Sequence, residues 1–179
     1  MKKLFLLCFL LLAGCLSAPE KSFQIEEDSA PLFVPVQKIE TVSMVGHFDA
    51  LPHVENQMPI SPEEAIIRWT EKSLSVDEKN EGILTIVIQK AEMIRQDKEN
   101  KGWFSFDEEI YTLSYVIEIQ LKQNDQIIKT IPVQGKGFID VAQKASLAQK
   151  EKGWSWLIQK MLIHLKEKLR TEFNDVSFR

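Results

Sequence analysis

The chain has 179 residues, 27% of them charged and 44% hydrophobic, and a formal net charge of -4. That balance fits one globular domain of ordinary size, long enough to bury a core without covalent staples. An acidic chain without a dense basic stripe argues against nucleic-acid binding, and two cysteines, both near the start, leave no disulfide framework downstream. The first element in chain order is an export signal. Lys2 and Lys3 form a basic start, Leu4 to Leu12 an apolar run, and Leu12-Ala13-Gly14-Cys15 closes it with small residues before a thiol. The run is too short to cross a bilayer, which takes about 20 apolar residues. A plain signal peptide cut near Ser17-Ala18 is the alternative reading.

The ending Leu12-Ala13-Gly14-Cys15 resembles the lipobox of bacterial lipoproteins. The resemblance implies that residues 1–14 are removed and that Cys15 carries a diacylglycerol on sulfur and an amide-linked acyl chain on its new N-terminus. Two or three chains, at about 0.8 kcal/mol per buried methylene, hold durably where one holds marginally. Leu16 rather than Asp follows the cysteine, which is similar to an outer-membrane sorting signal. Cys8 leaves with the signal, so no thiol remains for a metal site.

Residues 15–38 then read as the lipidated N-terminus and a flexible tether, rich in Ser, Pro, Ala and Glu. The competing reading is that Phe33 and Val34 already pack on the domain. A single α+β domain is expected over 39–179. Its first strand runs from Ile39 to about Phe48, and a loop with two prolines, Leu51 to Ile60, follows. Ser61, Pro62 and Glu64 announce a helix by capping and first-turn preference, and Ile66, Ile67, Trp69, Ser73 and Leu74 give its stripe. Asp77 to Gly82 is its polar stop.

Ile83 to Ile88 is a second strand, apolar on both faces. Arg95 to Glu109 reads as a long loop whose Trp103, Phe104 and Phe106 are candidate partner-binding residues. The alternative is that Trp103 and Phe106 fold back and plug the end of the domain. Tyr111 to Lys122 alternates, with Tyr111, Leu113, Tyr115, Ile117, Ile119 and Leu121 on one face. After a turn at Asn124-Asp125, Ile127, Ile131, Val133, Gly135, Gly137 and Ile139 are expected to face inward. A three-residue loop or a bulge is needed to set Ile119 against Ile131, Ile117 against Val133 and Tyr115 against Gly135. Pro132 cannot donate to a ladder, so this strand is an edge or is bulged there, and Pro132 joins the candidate docking residues. Ser146 and Gln149 resemble a capping box ahead of a last helix, with Trp154, Leu157, Ile158, Met161, Leu162, Leu165, Leu169 and Phe173 at helical steps. Gly153 suggests that the regular part begins near it.

The order β-α-β-β-β-α predicts a two-layer α+β sandwich, two helices on one face of an antiparallel or mixed four-stranded sheet. No catalytic constellation stands out. His47 and His53, with Asp49 and Glu55, match no metal-ligand spacing and read better as loop side chains. No serine sits in a nucleophile elbow, and Glu63-Glu64 are explained by the helix start. The lipobox, the tether, Leu51-Pro52-His53 to Met58-Pro59, Ser61-Pro62-Glu63-Glu64 and Trp69 together resemble small Gram-negative lipoproteins. The element order is also similar to the lipopolysaccharide-assembly lipoprotein and to auxiliary lipoproteins of lipid-trafficking ABC systems. The resemblance implies a non-enzymatic accessory of envelope assembly or lipid transport, without a cofactor beyond its acyl chains. It would sit on the periplasmic side of the outer membrane and dock on a membrane protein. The alternative is a lipid- or glycan-binding module using a gap near Trp69 and Trp154.

Overall fold

A computed structural model describes residues 31–76, 79–99 and 107–174; the signal, Cys15, most of the tether and the aromatic trio Trp103, Phe104 and Phe106 lie outside the described residues. Helix α1, Pro62–Ser73, begins as its sequence demands: Ser61 Oγ accepts from the Glu64 amide at 3.1 Å, and Pro62 fills the first turn. The Glu64 carboxylate turns to Arg68 rather than back to Ser61, so only half of the capping box forms. Helix α2, Leu147–Asn174, starts at once after Ser146, where both halves form: Gln149 N donates to Ser146 Oγ and Ser146 N to Gln149 Oε1. The expected delay to Gly153 does not occur. A β-carbon there would stand 2.3 Å from Ile139 Cδ1, so the glycine serves close approach of helix to sheet.

The sheet has four strands in the order β2-β4-β5-β6, namely Lys38–Ser43, Ile83–Lys98, Glu108–Gln123 and Gln126–Ala142. β2 runs parallel to β4, across a crossover that contains α1; the other neighbours are antiparallel, so the sheet is mixed. On β5 the odd residues from Tyr111 to Leu121 are all buried. On β4 a bulge between Ile88 and Lys90 changes the inward set from Leu84, Ile86 and Ile88 to Ala91 and Met93. The stretch Ile83 to Ile88 ahead of the bulge reads as apolar on both faces because β4 is flanked by β2 and β5, and on its other face Thr85 is buried and Ile83 and Val87 are half-buried.

Four expectations are corrected. The segment Leu32–Val34 is a strand, β1, pairing in parallel with β3, Leu74–Val76, and Val34 and Val36 are fully buried. The domain therefore reaches into the segment read as tether, and Phe33 of that segment stays exposed. The first helix ends at Ser73 instead of carrying Leu74 to a stop at Asp77, because Leu74 and Val76 extend to meet β1. The loop expected from Arg95 to Glu109 is mostly strand: Arg95 pairs with Tyr111 and Lys98 with Glu108, which leaves only 99–107 as the connection. Charged side chains hid this stretch, because Arg95 pairs with Asp97 along β4 and Lys98 with Glu108 across the two strands. Ile127 is exposed, not inward. The turn has two residues, Asn124 and Asp125, both at positive φ (50° and 61°), and a bulge leaves Ile128 unmatched and sets Ile127 opposite Lys122 on the wet face. The pairs Ile119 with Ile131, Ile117 with Val133 and Tyr115 with Gly135 still form.

Both helices lie on the inner face. Trp154, Leu157, Ile158, Met161, Leu162, Leu165 and Leu169 of α2 meet the core together with Ala65, Ile66 and Trp69 of α1. Tyr115 lies across its partner Gly135, where a β-carbon would fall 2.3 Å from the phenol oxygen and 2.5 Å from the ring. The ring reaches over it to hydrogen-bond His164 Nδ1 of α2 at 2.6 Å. Gly135→Ala is expected to displace the ring and lower stability by about 1–3 kcal/mol, the cost of overpacking. It should be seen as a lower urea midpoint with an unchanged slope; an unchanged midpoint contradicts the packing described.

Candidate functional site

One buried ionic cluster lies where α2 begins. The β4/β5 extension holds Arg95, Glu109 and Tyr111 together, and the first turn of α2 brings Lys150 over them. Glu109 is only 4% exposed. Its Oε2 receives Tyr111 Oη at 2.6 Å and Lys150 Nζ at 2.6 Å, and Oε1 faces Arg95 at 3.7 Å. Burial opposes ionisation of Glu109, but the bonds from Lys150 and Tyr111, helped by Arg95, outweigh it and hold the carboxyl below the usual range. Burial, reinforced by that carboxylate, pushes the Tyr111 phenol above its ordinary value, so it stays a neutral donor. The Tyr111 ring meets Trp154 edge-on at 5.3 Å. With every member paired to another, the cluster clamps a helix start to a strand pair and offers no spare nucleophile or base.

The loop before α1 is a second constellation. Met93 N donates to Glu55 Oε1 at 2.7 Å, Val54 N to Met93 O, and Arg95 N to Pro52 O. The loop thus covers the edge of β4 beyond the reach of β2. His53 Nδ1 stands 3.4 Å from Glu55 Oε1 and its ring stacks on Phe48 at 4.2 Å, whereas His47 and Asp49 point into solvent. Of the four residues weighed as metal ligands, His53 and Glu55 are brought together and His47 and Asp49 stay apart from them. Among the described residues no group of three His, Cys, Asp or Glu side chains is placed to hold an ion. Trp69 and Trp154, weighed as lining a ligand gap, are both core. An open groove of about 490 Å³ lies elsewhere, between β2, α1 and β3, lined by Ile39, Thr41, Ile67, Thr70 and Glu71 among others.

The third feature is the outer face of the sheet, which neither helix covers. Thr112, Ser114, Glu118 and Gln120 of β5 run along it, and Glu118 accepts from Gln89 and Gln120. On β6 the residues Thr130, Pro132, Gln134, Lys136 and Phe138 are exposed, Phe138 to 66%. β6 pairs with β5 alone among the described strands, so Pro132, opposite Glu118, does sit on an edge strand. Of the expected docking residues the structure places Pro132 here. Phe138 was not singled out in the sequence; the signal was an apolar aromatic at a wet-face position of an alternating strand.

No protein-family model matches the chain, and no curated protein sequence does. Solved structures similar to it include a minor lipoprotein from Acinetobacter baumannii, 11% identical over 76% of this chain and 94% of that one, with a TM-score of 0.44. Uncharacterized lipoprotein B from Nitrosomonas europaea is 12% identical over 80% and 87%, with a TM-score of 0.42. A homologue of a neuraminyllactose-binding hemagglutinin from Helicobacter pylori is 15% identical over 88% and 95%, with a TM-score of 0.44.

The clamp yields a pH dependence of definite sign. The folded-state pKa of Glu109 is lowered, so its contribution is complete above the ordinary carboxylate range and is lost as pH falls through the folded value. Glu109→Gln is expected to cost roughly 1–3 kcal/mol at neutral pH, the partial hydration of Lys150 and Arg95 keeping it below a fully buried pair. Urea midpoints of variant and wild type should converge as pH falls through the lowered folded-state value of Glu109; a constant gap contradicts the assignment.

Proposed function

We propose that this chain is a lipid-anchored periplasmic lipoprotein of the outer membrane, acylated on Cys15, that serves envelope assembly or lipid transport as a non-enzymatic accessory. It works by docking on a membrane-protein partner, with no cofactor beyond its acyl chains. The observation that carries the reading is the uncovered sheet. The two helices share one face, and the other ends in an edge strand of 17 residues that bears exposed Pro132 and Phe138. An edge strand presents unpaired backbone donors and acceptors to an added strand, and an exposed aromatic supplies an anchor beside it. Pro132 interrupts the row of donors, which blunts indiscriminate pairing. The lipobox at Leu12-Ala13-Gly14-Cys15 supports the anchor. No helix among the described residues is long and apolar enough to cross a membrane.

Holding the domain at the bilayer raises its local concentration beside a partner in the same membrane, so a modest interface suffices. Photo-crosslinking residues placed at Gln134 and Phe138 of the acylated protein, in its native envelope, should join it to one membrane protein in stoichiometric yield. The same positions in a Cys15→Ala chain should give at least a tenfold lower yield. Co-purified lipid or glycan without any protein adduct would favour the binding-module alternative. Equal crosslinking with and without Cys15 contradicts the anchored role.

A further inference from the structure

Helix α2 carries Lys150, Lys152, Lys160, Lys166, Lys168 and Arg170 against only Glu151, Glu167 and Glu172 in a chain of net charge -4. The core takes one side of it. Along the opposite side lie Lys152, Trp156, Lys160, Ile163, Glu167 and Arg170, all exposed and spaced three or four residues apart, three cations to one carboxylate. Trp156 and Ile163 are each 49% exposed, and Lys160 Nζ sits over the Trp156 ring at 5.6 Å. An indole and a branched aliphatic standing in water between basic side chains form a pattern suited to a headgroup boundary. There the ring finds a half-polar medium and the cations find phosphates.

The position of the chain entry agrees. The segment leading from Cys15 joins the domain at β1, which pairs with β3 and contacts α2. Pro31 is sixteen residues beyond Cys15, a span of at most about 55 Å. We propose that the outer face of α2, through Trp156, Lys160 and Ile163 with Lys152 and Arg170, seats the domain on an anionic phospholipid surface. This rests on the acyl-anchor part of the proposed function. It also orients the molecule: the helix layer meets the bilayer, the outer sheet face turns away from it, and the β6 edge stands between the two.

The test uses the mature acylated protein in vesicles of brominated phosphatidylcholine with about 30% phosphatidylglycerol, and reads tryptophan quenching. Subtracting the Trp156→Phe variant isolates the signal of Trp156 from those of the other tryptophans. The expected result is quenching of Trp156, reduced at least threefold in Lys152→Glu/Lys160→Glu/Arg170→Glu and in about 1 M NaCl, where the screening length is about 3 Å. Circular dichroism and a urea midpoint check that the charge-reversed protein is folded. Trp156 unquenched in protein that floats with the vesicles overturns the proposal and leaves the anchor standing. Equal quenching in vesicles without phosphatidylglycerol overturns the anionic assignment. Failure of the protein to float at all contradicts the acyl anchor itself, on which the proposal depends.

Discussion

The packing of α2 across the inner face of β5 and β6 sets the rest of the molecule. A helix of 28 residues can lie close to these strands because Gly137 leaves room on β6 and Gly153 on the helix, while Gly135 makes room for the Tyr115 ring that reaches to His164. Each of the three meets a neighbouring side chain at a distance where a β-carbon would crowd it, from Tyr115, Leu157 and Ile139. The inner odd face of β5 is thereby sealed, and dense contact there supplies most of the hydrophobic stabilisation. The ionic clamp of Glu109 with Lys150 fixes the start of the helix, and Lys129 with Glu172 ties its other end to β6.

Concentrating both helices on one side has a consequence for function. A sheet whose inner face is fully occupied must leave its outer face and two edges to water or to a partner. The loop from Pro52 to Glu55 covers part of β4, and a proline sits in β6, so the edges are managed rather than left bare. Among the described residues, what remains is a largely polar surface with one prominent aromatic, Phe138, and the exposed Ile127. In the buried ionic cluster Arg95, Glu109, Tyr111 and Lys150 hold elements together, and in the histidine loop Glu55 ties the loop to β4 while His47 and Asp49 are exposed. A scaffold that presents surfaces and is held at a membrane by its N-terminus fits this arrangement.

Much of this was legible in the sequence because it rested on local chemistry. Ser61 and Ser146 cap, the alternation of Tyr111 to Leu121 names an inner face, and Pro132 marks an edge. The cross-strand partner of Tyr115 also followed, because Gly135 needs a ring over it. Features that depend on register or on distant pairing did not show. β1 and β3 are three residues each and form only because they meet one another. The bulges at Gln89 and Ile128 shift the phase of alternation without leaving a mark in composition. The charged ends of β4 and β5 look like loop because their neutralisation needs the strand pairing and the fold. Lys98 meets Glu108 across the strands, and Glu109 meets Arg95 and also Lys150, some 40 residues further along the chain. The site was legible to the same degree. Pro132 was marked by its missing donor, whereas Phe138 and the Trp156–Lys160 pair became visible only once the faces of β6 and α2 were assigned.

The proposed role depends most on Cys15, where acylation would make a folded domain a component of the envelope. Intact-mass analysis of the protein extracted from membranes addresses it directly. The expected result is a chain that begins at Cys15 and carries a diacylglyceryl group on sulfur with a further acyl chain on its amine. A mature chain that begins after Ala18, or that begins at Cys15 with a free thiol, would contradict it.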